Sequence, residues 1–259
     1  MVLPFFSPHR ARRSSSSRIR SIRAWVYGVL VLVLALVSVA VLGACGDSTP
    51  SGAAEPGASI TFTTQDGVTL SGRLFGEGEV GVVLAHMYPK DQSSWYEFAR
   101  VLSREGYRTL TFDFRGYGTS TGTQQIDLIY RDIQAAAAAL IARGSRDVFV
   151  IGASMGGTAA LVAAVDEPLA GVVIVSAPME FKGLDASKAV SASRCAKLFI
   201  AAEGDTAAQG IRTLFQLAND PKQIAMLPGT AHGTDLFKGR EGSRAQGLVL
   251  EFLAANSKP

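Results

Sequence analysis

The chain has 259 residues, is 47% hydrophobic and 18% charged, and carries 25 basic against 22 acidic residues for a formal net charge of +3. No basic patch argues for nucleic acid as a partner, three histidines are too few for most zinc sites, and two cysteines make no disulfide framework.

The first 23 residues contain Arg10, Arg12, Arg13, Arg18, Arg20 and Arg23 and no acidic residue. Residues 25–42 are uncharged, about eighteen in all, the length that separates a signal-peptide core from a short membrane span. The run closes in Leu42-Gly43-Ala44-Cys45, which resembles the bacterial lipobox, where small residues precede a cysteine that is lipidated and becomes the new N-terminus. That resemblance implies a signal peptide over residues 1–44, a lipid on Cys45 and a domain on the extracytoplasmic face of the cell membrane. The positive flank sets the same orientation. An uncleaved signal anchor is the alternative and leaves the domain on the same side. Without the six leader arginines, 19 basic residues face 22 acidic ones, a balance of −3, so the basicity belongs to targeting. A lipid on Cys45 would leave Cys195 without a partner, and no disulfide is expected. Residues 45–59, rich in Gly, Ala, Pro and Ser, predict a flexible tether, and residues 60–259, about 200 in number, suit one domain.

Within that domain, residues 68–75, 80–85, 108–112, 148–151, 171–176, 197–202 and 223–227 predict strands. Trp95, Phe98 and Leu102 mark the buried face of one helix, and Ile126, Ile129, Ile133, Ala137, Leu140 and Ile141 that of a longer one. Strands alternating with helices imply an α/β fold, a mostly parallel sheet covered on both faces, with its site at the carboxyl ends of the strands.

Several of those ends carry chemistry. His86-Met87-Tyr88-Pro89 follows the second run, where a loop amide of Met87 or Tyr88 can face a developing oxyanion. His86 is expected to orient that loop, and Tyr88 to be a packed aromatic. In Asp113-Phe114-Arg115-Gly116-Tyr117-Gly118-Thr119-Ser120, Asp113 and Arg115 are expected to pin a glycine-rich loop, with recognition of a substrate carboxylate by Arg115 as the alternative.

The run 148–151 then enters Gly152-Ala153-Ser154-Met155-Gly156, followed by a small-residue helix over about 158–165. Such a turn strains Ser154 and lifts its hydroxyl above the sheet, while the two glycines make room where a Cβ would collide. The N–H of Met155 can supply a second oxyanion donor. A serine hydroxyl needs a base, and His232 is the one histidine after it. Asp205, after the turn Glu203-Gly204, is chosen as the acid that fixes the imidazole tautomer. Glu203 is its nearest rival. Asp185 and Asp220 read as cap or solvent residues, and Asp235 as a cap for the turn after His232.

Together these residues resemble the α/β-hydrolase superfamily, and within it small serine esterases and dienelactone-hydrolase-like proteins, from about residue 60 to 253. The resemblance rests on the elbow around Ser154, the loop from Asp113 to Ser120, the turn at Gly204-Asp205 and the late His232-Gly233. It implies Ser154 as nucleophile, Asp205 as acid and His232 as base, acting on a small-molecule ester through an acyl-enzyme without metal or organic cofactor. Many members have His-Gly in the oxyanion loop where this chain has His86-Met87, so the donor stays open between the amides of Met87 and Tyr88. A peptidase or amidase on the same residues, or a binding lipoprotein that has kept the fold, are the alternatives. The connection 177–196, about twenty residues, is where the family inserts large caps. It is short enough to imply an open site that favours short acyl chains, with Tyr88, Met155, Met179 and Phe181 as its apolar lining.

Overall fold

A computed structural model describes residues 57–258. The arginine-rich leader, the uncharged run, Cys45 and most of the expected tether lie outside the described residues. Among the described residues no helix is long and apolar enough to cross a membrane.

The described residues open with strands β1 (Ala58–Thr63), β2 (Thr69–Phe75) and β3 (Val80–Ala85), then helix α1 (Tyr96–Arg104) and β4 (Arg108–Phe112). Helix α2 (Ile129–Ile141), β5 (Asp147–Ala153), α3 (Met155–Ala163) and β6 (Gly171–Val175) follow. A two-stranded hairpin, β7 (Glu180–Phe181) and β8 (Leu184–Asp185), and a single helical turn α4 (Ala189–Ala192) fill the next connection. The chain ends with β9 (Ala196–Ala202), α5 (Ala208–Leu217), β10 (Lys222–Leu227) and α6 (Gly239–Asn256). The seven expected strands are all present. β1 is additional and begins two residues inside the stretch expected as tether.

Eight strands form one sheet in the order β1-β2-β4-β3-β5-β6-β9-β10. The β1–β2 and β2–β4 pairs are antiparallel and the rest parallel. β5 and β9 are buried at every position, as continuous apolar runs in a doubly covered sheet require. Alternate residues feed two cores. Val83, Val150 and Ile174 pack with Ile133, Leu161 and Leu214 of α2, α3 and α5. Val82, Ile151 and Ile200 pack with Phe98 of α1 and with Val249 and Phe252 of α6 on the other face. Each such side chain contributes roughly 1.5–3 kcal/mol when fully buried. Trp95, Phe98 and Leu102 are buried as expected, and so are Ile126, Ile129, Ile133, Ala137 and Leu140. Ile141 departs from the pattern: it is 47% exposed, one step past the buried face at the end of α2.

Candidate active site

Ser154 sits between β5 and α3 with φ +49° and ψ −116°, backbone angles that few side-chain-bearing residues adopt, and it is 8% exposed. The local sequence makes that turn feasible. A Cβ on Gly152 would lie 2.2 Å from the carbonyl oxygen of Gly156, and one on Gly156 would lie 2.5 Å from that of Ala85. Both contacts are with backbone that cannot move aside, so larger residues are excluded. The elbow is thereby pressed against the end of β3, next to His86. Met155 is the first residue of α3, and its N–H has no partner inside the helix.

The structure brings Asp205 and His232 together. Nδ1 of His232 lies 2.8 Å from Oδ1 of Asp205, the carboxylate 1% exposed and the imidazole 35% exposed. The turn after β9 holds the acid: Asp205 N–H donates to Ala202 O, and Oδ1 also accepts from the N–H of Ala207 at 3.0 Å. Because a carboxylate is an acceptor, Nδ1 carries the imidazole proton and Nε2 is free to accept one. Glu203, the rival, points outward: its side chain is 54% exposed and pairs with Arg212. Asp185 caps a local turn through Ser187, and Asp235 pairs with Lys238 at 3.6 Å after the turn that begins at Gly233.

His232 and Ser154 belong to loops that touch. A Cβ on Gly233 would come within 3.6 Å of the Ala153 Cβ and 2.6 Å of the Met87 sulfur. The N–H and hydroxyl of Thr234 also meet that sulfur, each at 3.4 Å. Met87 therefore packs beneath the His232 loop, a side-chain role that the sequence did not announce.

His86 is fully buried and ties its loop down, as expected. The Phe114 N–H donates to Nε2 at 3.2 Å, so Nδ1 bears the proton and donates to Met87 O at 3.1 Å. The Phe114 and Tyr117 rings stand edge-on to it, and burial pushes its pKa below the ordinary 6.5. Tyr88 is 40% exposed, its ring 5.7 Å from that of Phe181 and capped by the Lys182 ammonium at 4.0 Å. Met155 is not part of an open wall: its side chain is fully buried, with the sulfur 3.8 Å from the Tyr117 hydroxyl.

The loop from Asp113 to Ser120 is structural. The Asp113 carboxylate accepts from the N–H and the side-chain amide of Gln92 and from the N–H of Thr119. Arg115 is fully buried and donates to both Asp132 and Asp66, so it is not available to bind a substrate carboxylate. Its hydrogen bonds hold the Asp66 carboxyl well below the usual range. A cleft of about 540 Å³ opens beside the His232 loop between Leu227, Pro228 and Leu236, and Ser154 is not in its wall.

The sequence matches the model of the alpha/beta hydrolase family over residues 82–254, and the chain belongs to that family. Among curated protein sequences none matches this chain. Solved structures share its fold. The Pyrococcus furiosus esterase Pf2001 superposes with a TM-score of 0.71 at 20% identity, over 82% of this chain and 98% of that one. An esterase from Exiguobacterium antarcticum gives 0.66 at 14% identity, over 76% and 100%. A thermophilic esterase from Thermogutta terrifontis gives 0.65 at 17% identity, over 78% and 100%.

Proposed function

We propose that this α/β hydrolase is a serine hydrolase that cleaves carboxylic esters of small or short-chain acyl groups. The observation that carries the reading is the strained Ser154 at the β5–α3 elbow, on a loop packed against that of the His232–Asp205 pair. In this reading Ser154 Oγ attacks the acyl carbon while its proton passes to His232 Nε2. Asp205 steadies the imidazolium through Nδ1–H. The tetrahedral oxyanion faces the N–H of Met155 and that of Met87 or Tyr88. The imidazolium then protonates the departing alkoxide and the alcohol leaves. Water, deprotonated by His232, cleaves the acyl-enzyme to the carboxylic acid and returns Ser154 to its starting state. The small insertion between β6 and β9 supports a place among small serine esterases and dienelactone-hydrolase-like proteins.

The test is labelling with a fluorophosphonate probe followed by peptide mapping and turnover of p-nitrophenyl butyrate. Label on Ser154 is expected, and Ser154→Ala should abolish labelling and cut turnover by roughly three orders of magnitude or more. Label on another serine, or an active Ser154→Ala enzyme, overturns the mechanism.

For location, we propose cleavage behind Ala44 and a lipid on Cys45, which tethers the domain to the outer face of the membrane. The support is the sequence Leu42-Gly43-Ala44-Cys45 after an uncharged run and an arginine-rich start. Mass spectrometry of the membrane-extracted protein tests it. An N-terminus that still includes residues 10–23 would favour a signal anchor instead.

A further inference from the structure

The end of β6 repeats the backbone kink of the elbow one strand away. Ser176 has φ +51°, against +49° for Ser154. The ladder sets the two level: Ser154 N–H donates to Val175 O at 2.8 Å, and Ser176 N–H donates to Ile200 O at 2.9 Å. In a parallel sheet that pattern pairs Ser154 with Ser176, and Ser176 with Ala201 of β9. Ser176 thus stands between the strand that delivers the nucleophile and the strand that delivers Asp205. Its segment is fixed from both sides. A Cβ on Gly157 of α3 would lie 2.8 Å from the Ala177 Cβ, and the Thr158 hydroxyl donates to Pro178 O at 2.8 Å. On the other side, a Cβ on Gly210 of α5 would sit 3.5 Å from Ala177 O.

Two buried polar atoms, one just after β6 and one in the turn after the neighbouring strand β9, have no partner. Ser176 Oγ is fully buried and makes no hydrogen bond, and Asp205 Oδ2 is buried in the same condition although Oδ1 is well served. Leaving such an atom unsatisfied is costly, more so when it is charged, so native proteins pair these groups directly or through an internal water. Trp95 Nε1 and Thr109 Oγ1 are also unpaired, but they lie elsewhere: Trp95 packs on Phe98 and Phe237, and Thr109 pairs with Val82 towards the amino ends of the strands. A side-chain-bearing residue in a strained conformation, buried and polar, at the junction of nucleophile and acid, is the pattern expected where function maintains strain.

We infer that Ser176 is a positioning residue for the acid: its hydroxyl, through one buried water, is the donor that serves Asp205 Oδ2. The inference rests on the reading of Asp205 as the acid. With Oδ1 committed to His232 and the Ala207 N–H, a donor on Oδ2 fixes the rotation of the carboxylate and hence the direction in which the imidazole is held. Ser176 would touch neither substrate nor reacting atoms.

Ser176→Ala and Ser176→Gly in the full-length protein test this. Alanine keeps the Cβ and removes only the hydroxyl, while glycine removes the hydroxyl and relaxes the backbone at φ +51°. Both should lower kcat for p-nitrophenyl butyrate about tenfold with KM unchanged, because the lost interaction acts in the transition state. The ring nitrogen resonances of His232, which need no turnover, should move in both variants. Unchanged resonances and an unchanged kcat in Ser176→Ala would overturn the proposal. A change confined to Ser176→Gly would also overturn it, because it would assign the effect to the backbone. Fluorophosphonate labelling of Ser154 in the wild-type protein reports separately on the underlying mechanism, so failure of that reading is distinguishable from failure of this one.

Discussion

The Phe114 N–H points at Nε2 of His86 across 3.2 Å, which makes this nitrogen an acceptor and leaves the proton on Nδ1, facing Met87 O. A second proton on the ring would have to displace the Phe114 bond inside a site with no exposed surface. Burial accordingly holds the His86 pKa below its ordinary 6.5.

Stability should therefore depend on pH with a definite sign. The unfolded chain binds a proton at His86 near 6.5 and the folded chain only below that, so the contribution is complete above about pH 6.5 and is lost as pH falls towards the folded value. His86→Gln keeps an acceptor for the Phe114 N–H and does not titrate. Thermal melts between about pH 7 and 5 should show Tm falling more steeply in the wild-type protein than in His86→Gln. Parallel curves would show that His86 does not titrate across this range.

The Asp66–Arg115–Asp132 cluster should dominate the response to charge removal. Arg115 and Asp132 are both fully buried and joined at 2.6 Å, and Asp66 supplies a second carboxylate at 2.8 Å. Removing Asp132 leaves the buried guanidinium with Asp66 alone, at a cost of up to about 3–5 kcal/mol, the value for a buried pair broken outright. Asp132→Asn should lower the urea midpoint accordingly with little change in slope. Asp66→Asn, at the half-open end, should cost less. Arg115→Lys should recover only part of the stability, because an ammonium cannot reproduce the fork that spans both carboxylates.

Much of the fold was legible because apolar runs and helical spacing report burial directly. The ranges 80–85 and 108–112 coincide with β3 and β4, and the elbow glycines announced the turn at Ser154. β1 was hidden because its first residues share the small-residue composition of the tether, and as an edge strand it alternates exposed and half-buried positions. Asp66 gave no signal, since its partner Arg115 is 49 residues away and only the folded chain brings them together. Ser176 read as the last residue of a strand, and without the flanking glycines that mark Ser154 its positive φ left no trace. The β7–β8 hairpin did leave a trace: Lys182-Gly183 at φ +49° and +91° is a two-residue turn of the type that favours glycine in its second place.

The acid assignment separates two neighbouring carboxylates. Asp205 is buried against His232, whereas Glu203 is exposed on Arg212. Asp205→Asn should reduce kcat by roughly 10³–10⁴, as expected when the imidazole tautomer is no longer held. Glu203→Gln should leave kcat within about threefold, the behaviour of an exposed ion pair. The reverse order in steady-state kinetics would transfer the role to Glu203.

Acyl-chain preference should follow from what the β6–β9 connection lacks. It holds only the short hairpin and the single turn Ala189–Ala192, too little chain to roof the strand ends. The apolar surface that it does offer is the Phe181 ring against Tyr88, with Tyr88 itself 40% exposed. A fully buried methylene contributes about 0.8 kcal/mol, roughly fourfold in kcat/KM, but only where a wall removes it from water. On the proposed reading, this pair is the surface that meets the first few carbons before solvent takes over. Across a p-nitrophenyl ester series, kcat/KM should rise from acetate to butyrate and then level or fall. Phe181→Ala should lower the butyrate-to-acetate ratio about threefold while acetate turnover stays near wild type, because only the longer chain reaches the ring. A kcat/KM that climbs steadily to C12, or a ratio untouched by Phe181→Ala, would place the acyl group in a different and deeper channel.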